Sequence, residues 1–386
     1  MLVVMPWFDH NATSPLTPAA RAAWLHAQDE AWQNPSSPTR AAARVRLRLD
    51  VAREELGLFL GTRPQRLVFT SGATEGANAV FAHWDRVLPA TGLVAVNPTE
   101  HPCVLEAARG HLGEGRIVLL GLNADGVVDN GALRVLLQSG RVGAVAVMAA
   151  NHETGVLQPW AEIAALCRTA RVEYLCDATQ WLGKLPASGF GDTAWVVASA
   201  HKFGGPKGVG LLQLPAAATG FHAQLGGAQE HDHRAGTENY PGVASMLAAL
   251  KEAETTQMLW ETERLRWRDR FEQAMVAAVP GTKVVATRAE RLWNTVALAM
   301  PYGENHRWVA RLDRRKFQVS TGSACATGKE GPSPVLTALG LGADEARRVV
   351  RVSAGWETTD AGWQELAATF AAVAPEVRPT GEVVAG

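Results

Sequence analysis

Apolar positions along this chain follow two alternating patterns, short unbroken runs and runs at helical spacing. The unbroken runs Arg66–Thr70, Leu93–Asn97, Arg116–Leu120, Val142–Ala150, Glu173–Cys176, Trp195–Ala198 and Val209–Leu214 read as buried strands. Helical stretches lie among them. One opens at Thr17-Pro18 and runs to about Trp32, where Asn34-Pro-Ser-Ser-Pro38 breaks it. The next covers about Thr39 to Leu60, and Val45, Leu49, Ala52, Leu56 and Phe59 form its packing face. Others follow through Phe81 and Trp84, over Cys103–His111, Ala132–Gln138 and Trp160–Ala170. This alternation predicts an α/β fold with a mostly parallel sheet covered by helices on both faces.

After Tyr240-Pro241 the pattern changes. A long charged helix, about Gly242 to Ala278, leads into a smaller α+β part. That part has strands at Thr295–Ala299 and Lys316–Val319 and helices at Pro334–Leu339 and Ala361–Val373. Ala374 to Gly386 reads as a frayed tail. The expected division is a large domain over 15–250 and a small one built from 1–14 and 251–386. A length of 386 residues suits about two domains.

Parallel sheets bind ligands beyond the carboxyl ends of their strands. Polar groups gather at those ends here: Thr99-Glu-His101, Asn151-His-Glu, Asp177-Ala-Thr-Gln180 and Ser199-Ala-His-Lys202. This is the strongest physical sign of a single site. An ammonium at a strand end is costly unless paired or neutralised, and a readily neutralised lysine can form an imine with a carbonyl. Lys202 is that candidate, while Lys207 in the following turn reads as a surface residue. Between the first strand and its helix, Ser71-Gly-Ala-Thr-Glu-Gly leaves backbone N–H groups free at a helix start, a geometry that suits phosphate. The stretch has neither a P-loop lysine nor a GxGxxG pattern, and a plain capped helix would read the same way. A phosphate cup, an imine-forming lysine and a strand-end aspartate, Asp177, 25 residues before Lys202, together fit pyridoxal 5'-phosphate.

Composition narrows the partners. Net charge is −1, so no basic excess points to nucleic acid and no acidic tail to disorder. The N-terminus lacks a signal-peptide pattern and no apolar stretch is long enough for a bilayer, so a cytoplasmic protein without membrane contact is expected. Cys103, Cys167, Cys176 and Cys325 form no CxxC pair, so neither a zinc site nor a disulfide framework is expected. His231-Asp-His233 has no third ligand nearby and reads as a polar loop, so no metal is expected. Cys325 sits among Gly, Ser, Ala and Thr, with Gly328 and Gly331 close by. A thiolate there could move between a buried cofactor and a remote acceptor. Cys167 within a helix reads as core, and Cys103 as a small packed side chain near His101.

These segments resemble the cysteine desulfurases of the class V aminotransferase group, fold-type I pyridoxal-phosphate enzymes. The likeness rests on Asp9-His-Asn-Ala-Thr, Phe69-Thr-Ser-Gly-Ala-Thr-Glu, Thr99-Glu-His101, Asn151-His-Glu-Thr-Gly and Asp177-Ala-Thr-Gln. It extends through Ser199-Ala-His-Lys, Gly205-Pro-Lys-Gly, Arg234-Ala-Gly-Thr, Ser320-Thr-Gly-Ser-Ala-Cys325 and Arg351-Val-Ser-Ala-Gly, in the family's order over nearly the whole chain. The resemblance implies a homodimer that converts L-cysteine to L-alanine and passes sulfur to an acceptor protein for iron–sulfur assembly or thiolation. It implies that Lys202 is the Schiff-base lysine and later the Cα base, that Asp177 pairs with the pyridine nitrogen, and that His101 stacks on the ring and assists proton transfer. Gln180 and Asn151 would contact the ring hydroxyl side and the substrate. Ala73, Thr74, Ser199 and His201 would hold the phosphate, with Thr237 reaching in from a second subunit. Arg351 would bind the substrate carboxylate, and Cys325 would take the sulfur as a persulfide. The large domain would then bind the cofactor and the small one carry the cysteine loop.

The chain departs from the family at four places. Thr39 and Ala42 replace a His and a Gly, Asp232 replaces a Gly, and Trp356 replaces an Arg. The competing readings are a selenocysteine lyase, a class V aminotransferase or lyase without persulfide chemistry, and a non-catalytic scaffold.

Overall fold

The computed structural model describes residues 6–216, 218–257, 261–322 and 333–378. The chain opens with α1 (Pro18–Glu30) and α2 (Arg40–Leu60), then β1 (Leu67–Thr70), α3 (Ala73–Val87), β2 (Leu93–Val96), α4 (Pro102–Leu112) and β3 (Ile117–Leu119). There follow α5 (Asn130–Gln138), β4 (Val142–Ala146), α6 (Trp160–Ala170), β5 (Glu173–Asp177), β6 (Trp195–Ser199), β7 (Gly210–Gln213) and α7 (Tyr240–Glu252). The remainder holds α8 (Glu261–Ala278), β8 (Lys283–Val284), β9 (Thr295–Ala299), α9 (Asn305–Arg314), α10 (Pro334–Ala338), α11 (Ala343–Ala346), β10 (Val349–Ser353) and α12 (Asp360–Val377).

Seven strands form one sheet in the order β1-β7-β6-β5-β4-β2-β3, and β10-β9-β8 form a second, antiparallel sheet. Strands β2 to β6 pair in parallel, so their carboxyl ends share one edge. The connection from β6 to β7 is short, and a short connection returns a strand antiparallel. Accordingly β7 pairs antiparallel with both β6 and β1. That turn needs glycine at 204: φ is +87°, and a Cβ there would lie 2.4 Å from Thr17 Cγ2. Parallel strands are apolar on both faces because helices cover both. One face buries Val80, Phe81, Trp84 and Trp195 with α3 and α4; the other buries Leu49, Leu56, Ile163 and Val243 with α2, α6 and α7. The second sheet has a core of its own, including Phe8, Trp308, Trp363 and Phe370.

Local chemistry sets the helix starts. Thr17 and Thr39 cap α1 and α2 by accepting from Ala20 N and Ala42 N, so the Thr39 departure is a capping residue here. Asp232 stands in a turn with φ +66°, a conformation Asp tolerates better than most residues, which is how it can replace glycine.

Three expectations differ. The long helix is divided: α7 ends at Glu252, a π turn covers Ala253–Gln257, and α8 begins at Glu261. Lys316–Val319 forms no ladder; Gln318 makes one isolated bridge to Trp7, and the neighbouring Ser320 another to Arg351. The tail expected from Ala374 is partly helical, because α12 runs on to Val377 and buries Ala374 and Val377. Pro375 lies in that last turn, where its missing N–H costs one bond to the preceding turn.

Candidate active site

The parallel-strand ends and the start of α3 bring their polar groups to one cavity of about 270 Å³. Asp177 ends β5 and lines it, with Gln180 one turn on; Ser199 ends β6, followed by His201 and Lys202. Ala73 and Thr74 reach it from the first turn of α3, and His101 from the N-cap of α4. Eight of the residues singled out in the sequence therefore share one space. Asn151, Arg351 and Thr237 do not line it, and Thr237 is exposed. Cys325 lies outside the described residues.

Each group is held by specific bonds. Lys202 Nζ donates to the carbonyls of Asn11 (2.7 Å) and Ala12 (2.8 Å). Asp177 accepts from Thr179 N at 2.8 Å. Ser199 Oγ accepts from Ala73 N at 2.8 Å, so the strand end meets the positive end of α3. A Cβ on Gly72 would stand 3.1 Å from that hydroxyl oxygen. Cys103 N donates to His101 Nδ1 at 3.1 Å, which puts the proton of a neutral His101 ring on Nε2. Burial holds the His101 pKa below its ordinary value, with Lys202 and Arg351 acting the same way and Asp177 opposing them. His201 is pushed down to about 4 by burial and by Lys202, Lys207, Lys184 and His101. Both imidazoles are therefore neutral near pH 7.

Asn151 spends its side chain on a turn. Its Oδ1 accepts from Glu153 N and Thr154 N, both at 2.9 Å, and its Nδ2 donates to Thr99 O at 3.0 Å. That turn presents His152 to the cavity, with its ring 5.1 Å from the His101 ring, edge to face. Arg351 is 2% exposed. Its Nη2 meets Asp9 Oδ1 at 2.6 Å, and its Nη1 donates to His152 O (3.1 Å) and Gly322 O (2.8 Å). Its Nε is buried without a hydrogen-bond partner among the described residues. Glu153 accepts from Ser333 Oγ at 2.7 Å. Arg351 and Glu153 thus touch the described chain on either side of the stretch that holds Cys325.

Sequence reasoning passed over Met148 and Ala150 in the lining; it placed His152 and Thr179 in the strand-end polar stretches without giving them a role, and it preferred a packing role for Cys103 over that of a second thiol near the site. Two groups are buried nearby, Glu100, which the sequence reading listed within Thr99-Glu-His101 without a role of its own, and Lys184, which it passed over. Burial, then the nearby Asp177 charge, raises the Glu100 pKa well above the usual carboxylate range. Lys184 follows Gln180 by four residues, the spacing of one helical turn, and that was the available signal.

The family model described as Aminotransferase class-V matches residues 6–366. This chain belongs to that family. A cysteine desulfurase of Cereibacter sphaeroides is 34% identical over 382 residues, covering 96% of each chain. Among solved structures, a NifS-like protein superposes with a TM-score of 0.87 at 24% identity, over 97% of this chain and 100% of its own. SspA in complex with cysteine superposes with a TM-score of 0.75 at 26% identity, over 90% and 98%. Among the described residues, no helix is long and apolar enough to cross a membrane.

Proposed function

We propose that this class V member is a pyridoxal-phosphate-dependent cysteine desulfurase, converting L-cysteine to L-alanine and holding the sulfur on Cys325 for an acceptor. The observation that carries the reading is the convergence of the Lys202 amine, the Asp177 carboxylate, the neutral His101 ring and the start of α3 on one cavity. Chains named cysteine desulfurase match it nearly end to end.

The residues present fit the cofactor. The cup at Ala73, Thr74 and Ser199 has room because residue 72 has no Cβ, and the Thr179 hydroxyl is buried without a partner among the described residues. Lys202 would hold the aldehyde, Asp177 the ring nitrogen, Gln180 the ring hydroxyl side, and His201 with the cup the phosphate. When bound, pyridoxal phosphate supplies an aldehyde for the substrate amine and a ring that takes up electrons from the substrate Cα.

The chain's own groups do the rest. Lys202 Nζ, held by the Asn11 and Ala12 carbonyls, would remove the Cα proton. Asp177 would keep the ring nitrogen protonated. His101 would lie against the ring and pass protons through Nε2. Arg351 would offer its Nε–H, which has no partner among the described residues, to the substrate carboxylate, while Asp9 holds Nη2 of the guanidinium. Asn151 contributes through the turn that carries His152. The Cys325 thiolate would attack the substrate sulfur, forming the S–S bond as the substrate Cβ–S bond breaks; that electron pair stays with the three-carbon fragment, which is protonated and leaves as alanine, and the acceptor later removes the outer sulfur. In this reading 15–250 form the cofactor-binding domain, 1–14 with 251–386 carry the thiol, and Thr237 completes the site of a second subunit.

Alanine formation from L-cysteine by the protein loaded with pyridoxal phosphate tests the proposal. Lys202→Ala is expected to form none. Alanine from that variant at the parent rate overturns the anchoring role.

A further inference from the structure

We infer that Lys184 is a positioning residue that fixes the side-chain amide of Gln180 beneath the cofactor pocket. The inference rests on the reading that Gln180 contacts the cofactor ring. Lys184 is 5% exposed, and among the described residues no carboxylate makes a salt bridge with it. A buried ammonium without a counter-charge is costly, and a methionine would fill the same space without that cost. What the lysine adds is donors, and both of its hydrogen bonds go to one residue. Nζ donates to Gln180 Oε1 at 2.7 Å and to Gln180 O at 3.2 Å.

The other side of the same amide explains why this matters. Gln180 Nε2 donates to Asn11 O at 3.0 Å, and that carbonyl also accepts from Lys202 Nζ at 2.7 Å. An ammonium can only donate and a backbone carbonyl can only accept. Turning the amide over would set donor against donor at Lys184 and acceptor against acceptor at Asn11. The orientation is thus fixed by chemistry, and the second Nε2 hydrogen remains for the ring oxygen. A charge-assisted bond to Oε1 also polarises the amide and makes that N–H a stronger donor. The Lys184 backbone is itself held, since Trp293 Nε1 donates to Lys184 O at 2.9 Å. On its far side Lys184 shares a small second cavity with Lys202. Burial, Lys202 and Arg351 push its pKa down to about 7, so the charge-assisted form of the bond belongs to the lower-pH side of neutrality, while the Asn11 carbonyl holds the amide orientation in either form.

A double-mutant cycle on the full chain tests this. The apo forms of the parent, Lys184→Met, Gln180→Ala and the double variant are titrated with pyridoxal phosphate, and the dissociation constant and the visible absorption maximum are read. Lys184→Met is expected to weaken binding about three- to tenfold in the parent and by less than about twofold in the Gln180→Ala background. Its shift of the absorption maximum is expected to vanish in that background too. An equal factor in both backgrounds, or no factor in the parent while Gln180→Ala weakens binding, overturns the role of Lys184 and leaves that of Gln180 standing. If Gln180→Ala binds the cofactor as the parent does, the contact assigned to Gln180 is wrong and the inference falls with it. Thermal melts of the apo forms check folding; should Lys184→Met not fold, Lys184→Gln carries the same comparison.

Discussion

Glu230→Gln is a stringent test of how the loop before Thr237 is anchored. Glu230 and Arg53 form a two-pronged pair at 2.8 and 2.9 Å, with side chains only 2% and 6% exposed. Glu230 Oε2 also accepts from Phe69 N at 2.8 Å, and the guanidinium lies 4.6 Å from the Phe69 ring centroid. One carboxylate therefore ties the loop to α2 and to β1. Glutamine keeps the volume but sets an NH₂ against a guanidinium or a backbone N–H. It also leaves a buried cation without its counter-charge, a loss of about 3–5 kcal/mol. With an unfolding entropy of about 2.1 cal/mol/K per residue, a chain of 386 residues has about 0.8 kcal/mol/K, so Tm falls by about 4–6 °C. Calorimetry of the apo protein measures it. Arg53→Met with Glu230→Leu removes both charges and is expected to recover most of the loss. A single variant that melts with the parent, or a double variant no better than the single, refutes the reasoning.

Two further predictions concern the site. Ser199→Ala removes the acceptor for Ala73 N–H and a phosphate partner, and is expected to weaken pyridoxal-phosphate affinity about tenfold; an unchanged dissociation constant contradicts the cup. Glu100→Gln tests the buried acid. The Glu100 pKa is raised in the folded state, so above its unfolded pKa, near 4.5, the unfolded chain releases a proton that the native one keeps. That term lowers stability as pH rises until the folded pKa is passed. Glutamine removes it, so the variant's Tm should gain on the parent between pH 4 and 7 and not below. A gain independent of pH contradicts a neutral Glu100.

The parallel strands were legible because burial on both faces leaves unbroken apolar runs, and the strand-end polar groups followed from that. β10 was not read as a strand, because Arg351 stands in the middle of its run. α9 was missed because Trp308 and Leu312 alone in that helix are buried, too thin a stripe to stand out among its charges. The π turn at 253–257 interrupts a helical pattern that carries no proline to announce it. Within the site, residue types with chemistry at strand ends were visible. Lys184 was not, and Glu100 was visible only as one member of a strand-end stretch, since their significance comes from Asp177 and Lys202 across the fold. Asn151 was noticed, yet its amide oxygen serves the local turn, its Nδ2 goes to Thr99 O, and its neighbour His152 faces the cavity.

The central claim is that an amine-anchored cofactor and the Cys325 thiol together take sulfur from cysteine. Peptide mass spectrometry of the loaded protein after a brief incubation with L-cysteine tests it most directly. The account predicts one added sulfur atom on the Cys325 peptide, alanine in equal amount, and neither in Lys202→Ala. Added sulfur on Cys103 with Cys325 unmodified, or alanine from L-cysteine with no sulfur retained by the protein, would contradict it.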